Sequence, residues 1–579
     1  MTERKAMLPL VVAVTGHRDL VGSEMTSIRE ALVAFFSQLK RKNPHRQIRL
    51  MSGLAEGADQ LAAEVALEHG AELFAVLPMA STDYADDFAS DECQQRFEYF
   101  LSKASETIEL PPANAVNAIG SERPQAQRDI QYAQLGVFLC AHCHILLALW
   151  DGKFNNQLGG TGQVVRFHHD DRMPGFEDRG GGRQQMLIDD ESDLVYHIVC
   201  SRDRVDGQPA TGLEAVSAGW YTKDASIPRG RDLPLQHAEI FARSGEFSSD
   251  ANRHIEAIKA RAYPLIDAGA EQLGIPGLAD IDRLFCQADV LAMIFQRRTL
   301  IATRLMHGLA FLMGLCFLAY ADLNSAPGFL IVFLVLFGVS TAIQFVGRRH
   351  QWHRKYLDYR ALAEGLRVQF FWAASGVAHE SATHFPHDNF LQMQDPELGW
   401  IRNVMRVAGL RCNAFRHTDK AGIGYVRETW IGDKGGGQLA YFDRGMQLRV
   451  RRSRLTEALG KLSLMTSVCL VALFIVAGSA LPDSLNDPLL ALMGALLLAY
   501  AIREGYAYAL AEKELIKQYR FMFRLFQNSK QRLDSVAETE AQRQILWALG
   551  KSALDEHGEW LMLHRSRSVD DAELWRLGS

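Results

Sequence analysis

Three glycine-bearing segments hold the residues best suited to chemistry. Gly16, His17 and Arg18 end the stretch "VAVTGHRDL"; Gly53, Glu56, Gly57 and Asp59 follow "IRLMS". Asp151 opens "DGKFNNQLGGTGQVV", which carries Gly159, Gly160, Thr161 and Gly162. Glycines in such loops let backbone N–H groups approach phosphate oxygens, and a helix N-terminus adds partial positive charge. Arg18 can pair with a phosphate, while Glu56 or Asp59 can accept hydrogen bonds from ribose hydroxyls. Each loop alone reads as an ordinary turn; the three together point to a nucleotide site. No Walker A pattern occurs in the sequence, which argues against an ATP-driven motor.

The elements that must position these residues alternate. Leu8 to Thr15 reads as a buried strand and Glu24 to Arg41 as an amphipathic helix. Ile48 to Ser52 is a second strand, followed by a helix from Glu56 to Gly70. Leu73 to Pro78 is a third, with a helix from Asp83 to Lys103. Gln125 to Cys143 reads as helical, and His144 to Trp150 and Val195 to Cys200 as strands. This alternation predicts a Rossmann-like α/β domain with a parallel sheet covered on both faces. In such sheets ligands gather beyond the carboxyl ends of the strands, where the three loops fall.

The second half has a different character. Leu305 to Ala321, Pro327 to Gly347 and Leu462 to Leu481 are uncharged runs of about 17 to 21 residues, near the length that crosses a bilayer. Pro488 to Ile502 is a shorter run, extended by "GYAYAL" after Arg503 and Glu504. Two buried hairpins in a soluble core are the competing reading, and core helices seldom stay uncharged for so long. Arg297, Arg298 and Arg304 precede the first run, and Arg348, Arg349, Arg354 and Lys355 follow the second. Arg451, Arg452, Arg454 and Lys461 precede the third, and Arg503 and Lys513 follow the fourth. The connections "DLNSA" and "PDSLND" have neither Lys nor Arg, so the positive-inside tendency leaves every long segment in the cytoplasm.

Composition excludes little but points consistently. The chain has 579 residues, 48% hydrophobic and 22% charged, with net charge −6, which gives no support to direct nucleic-acid binding. Eight cysteines without a regular framework suggest a reducing compartment, and no signal peptide is read at the N-terminus. "CAHCH", Cys140 to His144, matches a haem-attachment spacing but is read as buried packing. "FHHD", Phe167 to Asp170, is read as a solvated polar loop and not as a metal site. No cofactor or metal is expected.

The motifs "VTGHRDL", "SGLAEGADQLAAEVAL", "AVLPM", "LLALWDG" and "GGTGQVV", in this order over roughly Pro9 to Arg202, resemble a SLOG domain. That superfamily includes LOG phosphoribohydrolases, DprA-type DNA-processing proteins and ligand-sensing modules. The resemblance implies a Rossmann-like fold and a nucleotide-derived ligand, such as an ADP-ribose derivative or a cyclic nucleotide signal. The catalytic branch carries P-G-G-x-G-T-x-x-E; here Leu158 stands for the proline, Gln163 for the threonine and Arg166 for the glutamate. Arginine cannot replace a carboxylate in acid–base or oxocarbenium chemistry, so sensing is favoured over catalysis.

The membrane half resembles the SLATT family through its hairpin, "YRALAEGLRVQFFW", the W-I…Q-L-x-Y-F segment ending at Phe442, and "LGKSALDEHGEWLMLHRSR". SLATT domains usually carry one hairpin, and this chain has a second pair of spans. The resemblance implies a pore-forming effector of bacterial antiphage defence. Ala491, Ala495 and Ala499 recur every four residues on the fourth run and favour helix–helix contact.

The expected organisation is a sensor over 1–204, a helical linker and stalk over 205–304, and a first hairpin over 305–347. A cytoplasmic helical segment over 348–461, a second hairpin over 462–502 and C-terminal helices over 503–579 complete it. The expected protein is a multi-pass homo-oligomer of the bacterial inner membrane, with its soluble parts cytoplasmic. It is a sensor-effector and not an enzyme. The alternatives are a membrane-tethered nucleotide hydrolase using Glu56, Asp59 or Asp151, a sensor merely anchored in the bilayer, and a ligand-gated channel.

Overall fold

In the computed structural model, five apolar runs lie side by side as parallel strands, because each is buried on both faces and only covered sheets accept such runs. The structure describes residues 8–113, 124–154, 157–174, 193–224, 227–323, 325–377, 385–391, 396–415, 420–432, 436–477 and 482–566. The expected connection at Asn324 and the full length of "FNNQLGG" and "WIGDKGGGQLAYF" therefore lie partly outside the described residues.

The chain forms two units. The first comprises Met1–Ala288, Leu362–Tyr425 and Leu546–Gly558. It opens with β1 (Leu10–Gly16), α1 (Met25–Lys42), β2 (Ile48–Ser52), α2 (Ala58–Glu68) and β3 (Glu72–Leu77). There follow α3 (Ser81–Ala85), α4 (Asp91–Lys103), β4 (Glu106–Glu109), α5 (Pro124–His142), β5 (Ile145–Trp150) and α6 (Thr161–Asp170). Strands β6 (Val195–Val199) and β7 (Ala218–Tyr221) complete a seven-stranded sheet in the order β4-β3-β2-β1-β5-β6-β7. Only the β6–β7 pair is antiparallel. The order reverses between β1 and β5, which pair directly from Val12 with Ile145 to Gly16 with Leu149.

Three readings change here. The helix expected over Asp83 to Lys103 is two helices, because Ser90 caps α4 by accepting a hydrogen bond from Cys93 N. Strands β4 and β7 were not expected; both are four-residue edge strands, too short to leave an apolar run. "FHHD" is no solvated loop: it is the last part of α6, with His168 buried and its Nε2 3.3 Å from the Leu194 carbonyl.

Helices α7 (Leu235–Arg253), α8 (Ile255–Arg261) and α9 (Ala268–Gln272) follow the sheet. Then α10 (Leu278–Leu318) runs as one helix through the expected stalk and first span. The remaining helices are α11 (Pro327–Arg349), α12 (Trp352–Ser375), α13 (Gly399–Ala414), α14 (Ala421–Val426), α15 (Gly437–Ala477), α16 (Asp483–Ala509), α17 (Glu512–Ser535) and α18 (Thr539–Ser566). Residues 362–425 belong to the unit that holds the sheet, and α13 packs against α5 and α7.

The second unit comprises Asp289–Ala361, Val426–Ile545 and Glu559–Ser579. Four of its helices, within Leu278–Leu323, Pro327–Arg349, Gly437–Val476 and Ser484–Ala509, are long and apolar enough to cross a membrane. Their apolar windows are almost wholly unburied, with Ile331, Leu334, Phe345 and Val476 facing outward. A soluble fold would bury such surface; a bilayer is the solvent that accepts it. Packing between α10 and α16 includes glycine contacts. A Cβ on Gly314 would stand 2.3 Å from Leu498 Cδ2, and one on Gly494 would stand 2.7 Å from Leu318 Cδ2. Helices α15 and α16 are tied by Ser463 Oγ to Leu496 O at 2.8 Å and Ser467 Oγ to Met493 O at 3.1 Å.

Candidate functional site

The strand ends bring the sequence-derived loops together through close backbone contact. Gly57 has φ +76°, and a Cβ there would lie 2.4 Å from the Arg18 carbonyl oxygen, so only glycine lets the β2–α2 turn press against the β1 loop. Ala58 N donates to His17 O at 3.1 Å, and His17 N donates to Leu149 O at 3.1 Å. Gly16 is equally constrained: a Cβ would lie 2.3 Å from Ala58 Cβ. The three loops thus meet at the carboxyl edge, where the strand order reverses.

A cavity of about 580 Å³ opens there, within the range of small-molecule sites. Gly16, His17, Arg18, Asp59, Gly159, Gly160 and Thr161 all line it. The remaining candidates stand behind it. Glu56 is turned away, its Oε1 accepting from Ala89 N at 2.8 Å. Gly57 shapes the turn. Gly53 packs so that a Cβ would lie 2.8 Å from Leu135 Cδ2. Gly162 closes against the Lys153 carbonyl, 2.9 Å from where a Cβ would be. Asp151 is buried behind His17, with Oδ1 accepting from Lys153 N at 3.0 Å and 3.2 Å from His17 Nε2.

The charges in the cavity are unevenly satisfied. Arg202 Nε donates to Asp19 Oδ1 at 2.8 Å, and Arg128 pairs with Asp87, which also accepts from the Tyr132 hydroxyl. Arg18 lies over the Tyr132 ring, 5.4 Å from its centre, and among the described residues no carboxylate forms an ion pair with it. Opposite, Gly160 caps α6, whose first turn lines the cavity at Thr161. The Tyr84 hydroxyl is buried, belongs to the cavity lining and has no hydrogen-bond partner among the described residues. A buried polar group left so marks a place where a ligand or water completes the set.

Burial also shifts protons. Desolvation raises the Asp59 carboxyl to about 7, against the opposing pull of the Ala55 and Gly53 N–H groups, Arg18 and Ser52. Desolvation lowers His17, and the Asp151 carboxylate only partly offsets this, so His17 is held towards its neutral form. A titratable acid near neutrality in a polar cleft is a feature shared by many functional sites. Arg166 is exposed on α6 and lies 3.7 Å from Asp170.

The sequence reading missed Tyr84, Asp87, Arg128, Tyr132 and Arg202. A signal existed for those on α5: Gln125, Arg128 and Tyr132 lie on the same helical face as Leu135, Gly136 and Leu139. That face changes from polar to apolar along the helix, so no single periodicity announces it.

The "CAHCH" segment is packing. Cys140 and Cys143 are buried, and burial raises both thiols, Cys143 to about 12. His144 Nδ1 accepts from Val11 N at 3.1 Å and its Nε2 lies 3.1 Å from Asn403 O, so a neutral imidazole bridges β1 and α13.

No protein-family model matches this chain, and no curated protein matches it.

Proposed function

We propose that this protein is a sensor-effector of the bacterial cytoplasmic membrane, in which a nucleotide-derived signal binds the sheet-edge cavity and changes the state of the four apolar helices. The observation that carries the reading is the Arg18 guanidinium, without a carboxylate ion pair among the described residues, in one cavity with the N-terminus of α6, at the point where the strand order reverses. A phosphate there meets a cation and helix N–H groups together. Tyr84 and Tyr132 supply aromatic faces and a free hydroxyl for a base or ribose. The SLOG and SLATT resemblances supply the rest of the reading: an ADP-ribose-like or cyclic nucleotide signal, and membrane opening in antiphage defence.

Ligand can move the membrane helices only if it binds the open and closed assemblies with different affinity. Shifting a population from 1:99 to 99:1 takes about 5.5 kcal/mol of differential binding. A homo-oligomer shares that demand at about 1–2 kcal/mol per sensor, within reach of a few charge-assisted phosphate contacts. The basic ends of the spans fit an orientation with both soluble regions in the cytoplasm.

A second reading, a nucleotide hydrolase, draws support from Asp59 alone, an acid raised to about 7 inside the cavity. It lacks the family's glutamate, since Arg166 occupies that position. One experiment separates the readings. The purified chain is examined by mass spectrometry for small molecules it retains, and then incubated with ADP-ribose, NAD and nucleoside monophosphates. A sensor retains a nucleotide-like molecule intact, loses it in Arg18→Ala and Tyr84→Phe, and leaks dye from vesicles on binding. Release of free base identifies the hydrolase, and retention unaffected by both substitutions refutes the site.

A further inference from the structure

We propose that the second unit carries a separate site for the phosphate headgroup of an anionic phospholipid, where the basic ends of its four apolar helices meet. A cavity of about 440 Å³ lies wholly within this unit. Its wall is built by residues between 296 and 306 of α10, 343 and 347 of α11, 448 and 456 of α15, and 503 and 509 of α16. On α10, α11 and α16 these are the points at which the apolar runs end: Arg304 directly precedes Leu305, Gly347 closes the second run, and Arg503 directly follows Ile502; on α15 the lining lies on the basic stretch that leads to Leu462. The cavity therefore sits at the boundary between hydrocarbon and water.

Its charge is one-sided. Arg304, Arg449, Arg452 and Arg503 line it, against the single carboxylate of Glu512. Arg503 is already engaged, 2.5 Å from Glu504 Oε1 and 3.8 Å from Glu512 Oε2. The other three have no carboxylate partner among the described residues. Arg304 Nε donates to the Tyr506 hydroxyl at 3.2 Å, and Arg449 lies over the Tyr519 ring, 4.2 Å from its centre. Arg452 is exposed. The Thr299 hydroxyl oxygen is buried at the cavity without a hydrogen-bond partner among the described residues.

Much of the rest of the wall is apolar, including Leu300, Met306, Ile343, Trp352, Leu448 and Leu515, beside the polar Gln296, Gln344, His353 and His564. A free phosphate has no use for such a wall. A phospholipid uses both parts: its phosphate meets the guanidinium groups, a glycerol oxygen meets Thr299, and the acyl chain lies along the apolar side. Basic pockets between membrane helices on the cytoplasmic side take anionic headgroups on these grounds. This site differs from the sheet-edge cavity in ligand and in place, and it rests on reading the four helices as membrane spans.

The full chain is embedded in nanodiscs of equal phosphatidylglycerol and phosphatidylcholine, and the lipids it keeps on release are measured by native mass spectrometry. Preferential retention of phosphatidylglycerol is expected. Each of Arg304→Gln and Arg452→Gln should lower that preference about fivefold, and the pair more. The exposed Arg451→Gln and Arg454→Gln, outside the cavity, should leave it unchanged; all four positions are exposed, so folding is little disturbed. Equal retention of both lipids, an equal loss in the outside pair, or displacement by excess inorganic phosphate would each overturn the proposal. Resistance of the chain to carbonate extraction from membranes reports insertion separately, so failure of the site and failure of the spans are distinguishable.

Discussion

Replacing Asp59 by asparagine should stabilise the first unit at neutral and alkaline pH and do nothing in acid. The carboxyl has an ordinary value of 3.8, which burial lifts to about 7. Below 3.8 both the folded and unfolded chains hold the proton, and the residue costs nothing. Between 3.8 and about 7 only the unfolded chain ionises, so stability falls as pH rises. Above about 7 the loss is complete and constant, about 4 kcal/mol for a gap of about three pH units. Asparagine keeps the size and an acceptor oxygen for the Ala55 or Gly53 N–H, and never ionises. The value of about 7 already includes the attraction of Arg18, so only the cost of burying the amide N–H groups without acceptors reduces the gain, to about 2–4 kcal/mol near pH 8.

The histidines act in the opposite direction. Burial lowers His142 to about 4 and His144, His168 and His197 to about 3. Stability from these groups is lost as pH falls below the ordinary value of 6.5, when only the unfolded imidazoles take up protons. Both proteins share that slope, and it cancels in their difference. Pulse proteolysis of the full chain in detergent across a urea series, between about pH 4 and pH 8, gives this difference. Parallel curves, with the variant no more stable at any pH, would refute the argument and show that the carboxylate is well solvated in the cavity.

Gly57→Ala should cost about 2–4 kcal/mol, since it combines a positive φ with a Cβ 2.4 Å from the Arg18 carbonyl oxygen. Gly212→Ala, also at positive φ but in open space, should cost only about 1 kcal/mol; equal melting temperatures for the two variants would contradict the packing account. With Cys316 and Cys469 replaced by alanine, a cysteine at Ser484 should react with an impermeant maleimide from outside intact cells and one at Gly436 should not. Labelling at Gly436 would reverse the proposed orientation.

Much of the architecture was legible because it is local. Strands β1, β2, β3, β5 and β6 are continuous apolar runs, and the four membrane-length helices are uncharged over most of a bilayer's thickness. Glycine at the strand ends also marked the edge where the cavity opens, since a positive φ or a close approach leaves its mark in residue type. Hydropathy and period, however, describe one segment at a time. They could not show β4 or β7, whose pairing is supplied by the neighbouring strand and not by their own four residues. Nor could they show which face of α5 turns towards the end of β1, and so place Arg128 and Tyr132 beside Arg18. The raised acid at Asp59, the orphan hydroxyl of Tyr84 and the convergence of Arg304, Arg449 and Arg452 arise in the same way. Residue identity fixes a group's charge and hydrogen-bonding capacity, whereas its desolvation and its partners are set by residues far along the chain that packing alone brings near.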